Sequence, residues 1–268
     1  MKQVEATKKF EYDHSTVEQD TPRRGIHSHS YHELYFLESG EVTYFIENQI
    51  VQLKPGEMIF IPCGVMHCTN YEKLPVSRRV VYVDESFVRK EVKPYIERLL
   101  ESRLVTFPPE KLHYVRNVFN RFDREAKREF EDSDLMMQLQ LEELLFVIER
   151  YRNADSQSEV SGIHRTVQDV ASYISANVTD DLRLDVLAER FNISSSHLSK
   201  QFKILTGVGL NEYINLTRVN ASESLLLNTN LSITEIAFKC GFNDSNYFTR
   251  VFKKHKGITP KAYSKQKW

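Results

Sequence analysis

Four residues in the first quarter of the chain, His27, His29, Glu33 and His67, have side chains and spacing suited to gripping a cation or a polar ligand. His27 and His29 are two apart, so on a strand they face the same side. Glu33 sits on the next segment, and His67 can return to it from a later hairpin. Three imidazoles and a carboxylate are donors for a divalent transition metal. The same inward-facing groups could instead hydrogen-bond an organic effector or one another. Cys63 and Cys68 flank His67; they read more readily as buried spectators than as thiolate ligands. Tyr31, Tyr35 and Tyr44 offer flat faces to a sugar ring, with Arg79 or Glu33 to hydrogen-bond hydroxyls or a carboxylate. Alternation along a strand sends only some of these side chains inward.

A second group of polar residues lies in the last hundred positions, inside a repeat. Leu187-Ala188, Leu198, Phe202-Lys203, Gly207 and Tyr213 are echoed by Ile236-Ala237, Phe248, Phe252-Lys253, Gly257 and Tyr263. The offset is 49 residues at the start and 50 afterwards, so the second copy has one extra residue in its turn. Composition does not produce such a duplication. Each copy reads as a helix-turn-helix. A short helix carries an alanine where two helices cross; Asn192 or Gly241 then adopts the left-handed cap, Ile193 or Phe242 plugs the gap, and Ser194 or Asp244 caps the next helix. That next helix buries Leu198 and Phe202, or Phe248 and Phe252, and leaves a polar face. Ser195, Ser196, Ser199, Lys200 and Lys203 form it in the first copy, and Ser245, Asn246, Thr249, Arg250 and Lys253 in the second. Arg, Asn, Ser, Thr and Lys read base edges, and Lys and Arg bind phosphates. Leu210 to Leu227 reads as one long helix joining the copies, so that one chain could reach two adjacent major grooves, roughly 34 Å apart on B-DNA.

Other elements must position these groups. Leu34–Leu37, Val42–Ile46, Ile50–Leu53, Met58–Ile61 and Val80–Val83 are short runs rich in β-branched and aromatic residues, separated by Ser39-Gly40, Asn48-Gln49 and Pro55-Gly56. They predict a small sandwich or barrel. From about residue 110 the period becomes helical: Val115, Val118, Phe119, Phe122 and Ala126, then Met137, Leu141, Leu144, Leu145, Ile148 and Tyr151. These two helices either pack on the barrel or pair with a second copy. Residues 153–162 are small, polar and aperiodic, and read as a linker. The expected domains are a sensor at 1–109, a helical segment at 110–152, the linker, and a DNA-binding domain at 163–268.

Charge follows this division. Residues 163–268 carry 14 Lys+Arg against 9 Asp+Glu, while the whole chain has a net charge of -1. A basic tail on an acidic body suits a polyanionic partner. The start leads into no apolar signal region, and no apolar run approaches the ~20 residues needed to span a bilayer. Three cysteines form no disulfide framework, which suits a reducing compartment; the cytoplasm is expected. G-x-S-x-G, Walker, G-x-G-x-x-G and CxxC patterns are all missing.

Two resemblances sharpen the reading. Ile236-Ala237, Gly241-Phe242, Asp244-Ser245, Tyr247-Phe248, Arg250, Phe252-Lys253, Gly257, Thr259-Pro260 and Tyr263 resemble the signature of the AraC/XylS family, over about residues 165–268. Cys240 stands where that pattern has valine or a similar residue. The resemblance implies transcription regulation, usually activation, with both recognition helices in the major groove. His27, His29, Glu33 and Gly40, then Gly56, Pro62, Gly64 and His67, resemble the two cupin motifs. Thr21 stands where the first motif is preceded by glycine, and Asn70 falls one position early in the second. Cupin-like barrels commonly precede AraC-type tails.

The whole chain therefore reads as an α+β protein: a cupin-like β-barrel, amphipathic helices, then an all-α domain of two helix-turn-helix units joined by a long helix. The expected function is a DNA-binding activator answering to a small molecule, such as a sugar. Its expected partners are double-stranded DNA, RNA polymerase and a second copy, with no membrane and no required cofactor. The alternative is a metal-dependent cupin enzyme with an appended DNA-binding tail.

Overall fold

The computed structural model describes residues 9–19, 25–127, 130–154 and 162–265. They fall into two compact units, 1–160 and 161–268. Most of the expected linker (155–161), and Thr21, lie outside the described residues.

Unit 1 is built on one antiparallel sheet of β1 (Phe10–Val17), β2 (His32–Ile46), β3 (Gln49–Leu53), β4 (Met58–Ile61), β5 (His67–Val83) and β6 (Leu104–Val105), in the order β1-β5-β2-β4-β6 with β3 paired to β2. All five runs expected from the sequence lie in strands. β1, β6 and the first half of β5 were not expected, because charged residues and Pro75 obscure their alternation. The turn between β2 and β3 is Glu47-Asn48, one residue earlier than expected, with both residues left-handed at φ 45 and 67. This is the geometry of a two-residue hairpin that matches strand twist.

Ser39-Gly40 was expected to separate two strands. It is instead a bulge within the single long strand β2, where the pairing with β5 shifts between Leu37 and Val42. Gly40 has φ +95, and a Cβ there would lie 2.7 Å from Val76 Cγ2 and 2.8 Å from the Pro75 carbonyl, so only glycine fits. The bulge has a large consequence. Tyr35 and Leu37 face the inner core, and strict alternation would next send residues 39, 41 and 43 inward. The shift sends Val42, Tyr44 and Ile46 inward instead. Both halves of β2, with β3 and β5, thus curl around one apolar interior that also holds Ile59, Ile61, Val80 and Tyr82.

The other sheet face carries Leu34, Phe36, Met58, Phe60, Val81 and Val83, and is covered by α1 (Lys93–Glu101), α2 (Leu112–Glu125) and α3 (Ser133–Tyr151). Val115, Val118, Phe119 and Phe122 of α2 and Leu141, Leu144, Leu145 and Ile148 of α3 share that core. The helical segment given its own range at 110–152 is part of the same compact unit as the sheet. Its helices pack rather than project. α1 was not expected. Arg89 binds the buried Glu142 carboxylate of α3 through backbone and guanidinium, anchoring the loop that leads into α1.

Unit 2 contains α4 (Gly162–Ala176), α5 (Leu184–Arg190), α6 (Ser195–Thr206), α7 (Leu210–Asn228), α8 (Ile233–Lys239), α9 (Ser245–Lys256) and α10 (Pro260–Ser264). The expected caps are present. Ser194 accepts from the His197 N–H and Asp244 from the Tyr247 N–H, while Ser232 and Glu235 form a capping box on α8. Asn192 and Gly241 take the left-handed conformation at φ 51 and 83. Phe242 is fully buried as the expected plug, whereas Ile193 is only half-buried. α7 serves both halves: Tyr213 packs edge-on to Phe202 of α6, and Val219 and Leu226 belong to the core formed by α8 and α9.

The two turn residues differ in what surrounds them. A Cβ on Gly241 would lie 2.1 Å from the Val178 carbonyl oxygen, whereas Asn192 already carries one. Gly241→Ala therefore combines left-handed strain with a backbone collision and is expected to destabilise unit 2 by more than about 2 kcal/mol. Asn192→Ala adds only the strain, about 1 kcal/mol. Thermal unfolding of the two variants, followed by circular dichroism, checks the order.

Candidate functional site

The interior of unit 1 brings together most of the residues singled out from the sequence. His27 lies just before β2 and His67 opens β5; their backbones pair, with His27 N–H to His67 O at 3.0 Å and His67 N–H to His27 O at 2.9 Å. Their rings sit 4.4 Å apart, and the His29 ring lies 4.8 Å from His67. Glu33, on the inner face of β2, places Oε2 3.3 Å from His29 Nε2 and 3.9 Å from His67 Nε2. The Tyr44 hydroxyl donates to Glu33 Oε1 at 3.1 Å, and the Tyr35 ring meets Tyr44 edge-on. Tyr31 stacks flat on His29 at 4.0 Å and meets Tyr82 edge-on.

Burial shapes the charges here. It pushes the Glu33 pKa up, but contact with His29 and the positive groups facing it outweigh this and hold the carboxyl below its ordinary value. His67 moves the other way, burial pushing its imidazole down to about 4. The phenols of Tyr35, Tyr44 and Tyr82 are pushed well up by burial, so they remain hydrogen-bond donors.

One expected residue is not in this site. Arg79 pairs opposite Phe36, on the sheet face that meets the helices, and binds Glu38, Asp123 and Asn120 there while lying over the Phe119 ring. Its neighbour Arg78, opposite Leu37, holds the inner position: it is 3% exposed, reaches Asp13 and lies over the Tyr35 ring. Adjacent arginines on a strand point to opposite faces, and only the register tells which points inward. Tyr82 was also missed. Cys63 is exposed and Cys68 buried; neither belongs to the His29–Glu33–His67 cluster.

The second candidate surface lies on α6 and α9. Ser196, Ser199, Lys200 and Lys203 are exposed along α6, as are Asn246, Arg250 and Lys253 along α9. Ser195, Ser245 and Thr249 are half-buried, and the Thr249 hydroxyl donates back to the Ser245 carbonyl at 2.9 Å. Leu198 and Phe202, and Phe248 and Phe252, are fully buried on the opposite side of each helix. Tyr247, 39% exposed and beneath the Arg250 guanidinium, joins this surface and was not expected; so does exposed His197 at the equivalent place in α6. Their large rings read as core candidates or as partnerless groups when only spacing is considered.

The halves of unit 2 are tied together beside these faces. Arg218, on α7, donates from Nε to the Val178 carbonyl at 2.8 Å and from Nη2 to the Asp180 carbonyl at 3.3 Å, both before α5. The same guanidinium lies over the Phe242 ring in the second turn. Asn215, also on α7, donates to the Tyr247 hydroxyl at 2.8 Å.

Comparison with known proteins agrees with this geometry. Residues 11–145 match the AraC-like ligand binding domain, and residues 187–266 match a helix-turn-helix domain. The chain belongs to the AraC family. An HTH-type transcriptional activator RhaR from Mannheimia succiniciproducens is 22% identical over 241 residues, covering 89% of this chain and 86% of that protein. RhaR from an Enterobacter species is 23% identical over 238 residues, covering 87% and 84%. Among solved structures, ToxT from Vibrio cholerae aligns over 96% of this chain and 98% of its own at 18% identity, with a TM-score of 0.38. This AraC-family chain is thus a DNA-binding transcription regulator with an N-terminal effector-binding domain. Its relatives are regulators, which speaks against the metal-dependent enzyme considered from the sequence.

Two kinds of DNA contact are expected of the exposed faces of α6 and α9. Arg250→Ala is expected to weaken specific binding by about 1–3 kcal/mol and relax preference at one base pair, as loss of a base contact does. Lys203→Ala is expected to weaken all duplexes alike and lower the salt slope by about 1. Titrations of specific and scrambled duplexes at several salt concentrations distinguish them.

Proposed function

We propose that the chain is an effector-responsive transcription activator that places α6 and α9 in two adjacent major grooves of one duplex. The observation that carries this reading is the pairing of two exposed polar helix faces on cores that share α7, with Arg218 bridging the two halves. A stiff connection makes the separation of the two readers a property of the protein, so both bind without an added ordering cost. Description of its relatives as activators supports the sign of regulation. RNA polymerase is the partner that activation requires. Sequence-specific DNA as target, together with three cysteines that form no disulfide, supports a cytoplasmic location. No helix among the described residues is long and apolar enough to cross a membrane.

The effector reading rests on the polar interior of unit 1. Tyr31, Tyr35, Tyr44 and Tyr82 supply aromatic faces, while Glu33 and Arg78 supply a buried acceptor and donor. A sugar or another small polyhydroxylated molecule matches that combination. Such a ligand acts by binding one arrangement of the sensor more tightly than another, and it needs no turnover.

A second copy is the other partner. Leu135, Leu139 and Phe146 are 56%, 44% and 41% exposed, and their spacing puts them on one side of α3, away from its buried residues Leu141, Leu144, Leu145 and Ile148. An apolar stripe of this kind suits a matching stripe related by two-fold symmetry.

Two measurements test these readings. With a duplex carrying both half-sites, a five-base-pair insertion between them turns one groove to the far side and is expected to reduce affinity to that of a single half-site; unchanged affinity would rule out two-groove binding by one chain. In sedimentation, Leu139→Glu is expected to shift the protein from dimer towards monomer, and a monomeric wild type would remove the second copy.

A further inference from the structure

We infer that Asn215, on α7, is a positioning residue for base recognition: through the Tyr247 ring it holds Arg250 ready to read a guanine. The inference rests on the proposal that α6 and α9 enter adjacent major grooves, and it names what one of them reads.

The two recognition faces use equivalent positions with different side chains. His197 and Lys200 in α6 correspond to Tyr247 and Arg250 in α9. Arg250 is exposed, and its guanidinium lies over the Tyr247 ring, 5.3 Å from the centroid. A cation at that distance is attracted by the face of the ring. The ring itself is tethered from two sides. Its hydroxyl accepts from Asn215 Nδ2 at 2.8 Å, and its centroid lies 6.1 Å from that of the buried Phe242. Phe242 in turn lies under the Arg218 guanidinium of α7. Asn215 and Arg218 are three apart on that helix, so one side of α7 holds both the second turn and the ring on which Arg250 rests.

An exposed arginine samples many rotamers, and immobilising such a side chain weakens binding by roughly 2- to 10-fold. A tethered ring removes part of that loss before DNA arrives. Lys254 and Lys256 of the same helix are occupied by Glu212 and Glu223. Arg250 rests on a ring instead, which engages its charge and leaves the N–H groups of its planar fork to a partner. Two parallel donors match O6 and N7 of guanine, and no other base edge in the major groove offers two acceptors. Lys200, a flexible point charge at the equivalent place in α6, has no such fork. α9 therefore carries the sharper base preference at this position. The rival role for Tyr247 is direct contact with DNA, with Asn215 merely supporting the ring.

The test uses the full-length protein and a duplex that the wild type selects from a randomised library. Arg250→Ala, titrated against that duplex and its single-base variants, identifies the G·C pair whose preference is lost. Asn215→Ala and Tyr247→Phe are then expected to lower the preference for guanine at that pair alone by roughly 2- to 10-fold. The double variant should lose no more than either one, because both changes break the same hydrogen bond. In the Arg250→Ala background, Asn215→Ala should change nothing further. Affinity for a scrambled duplex, the salt slope and the melting temperature should stay at wild-type values in both single variants. Undiminished preference for guanine in Asn215→Ala overturns the inference. So does equal weakening on every duplex, which makes Asn215 only a support for α9. Further loss in the Arg250→Ala background also overturns it, by making Tyr247 a DNA contact, as does loss of a pair other than G·C in Arg250→Ala itself. A wild type that selects no duplex ends the two-groove reading as well, whereas selection with guanine preference intact in the variants ends only this one.

Discussion

One helix shared by two hydrophobic cores is the constraint on which the DNA-binding half depends. α7 gives Tyr213 to the core beneath α6, and Val219 and Leu226 to the core beneath α9. Neither half can tilt without disturbing packing in the other, because close-packed side chains transmit strain rather than absorb it. Arg218 reinforces the join with polar contacts that would otherwise leave the Val178 and Asp180 carbonyls seeking other partners. Gly241 sits where that join is tightest, its α-carbon facing the Val178 carbonyl with no room for a side chain. The two readers are thereby parts of one body.

The sensor depends on a comparable local device, the bulge at Gly40. A regular strand through residues 32–46 would turn Tyr44 away from Glu33 and break the inner apolar surface in two. The one-residue change of phase lets a fifteen-residue strand line the interior with both its halves. Polar groups collect at one end of that interior, where His27 and His67 pair by their backbones and Glu33 faces them. The helices α1–α3 cover the opposite sheet face and keep the network of Arg79, Glu38 and Asp123 separate from the inner polar groups.

The two halves use charge differently. In the sensor, charges are buried and therefore need partners, as Glu33 and Arg78 do. On α6 and α9, Lys200, Lys203, Lys253 and Arg250 stay exposed, where they cost little and remain available to an anion. Burial suits recognition of a small ligand, which must displace little water to exploit a strong local field. Exposure suits a phosphate backbone, whose affinity comes from counterion release.

Much of this was legible in the residues themselves. The duplicated spacing of Ala188/Ala237, Phe202/Phe252 and Gly207/Gly257 determined two helix-turn-helix units, because helical periodicity and caps are local properties that survive without knowledge of the rest. His27, His29, Glu33 and His67 stood out for the same reason: short-range alternation and residue type are written in the chain. Tertiary structure decided the rest. Which of Arg78 and Arg79 points inward depends on strand register, and register depends on a bulge that the sequence shows only as a serine and a glycine. Strand β1 and the first half of β5 exist because partners satisfy their backbones, despite weak local alternation. Whether α2 and α3 pack or project depended on which apolar surface lay nearest, and in three dimensions that surface was the outer face of their own sheet.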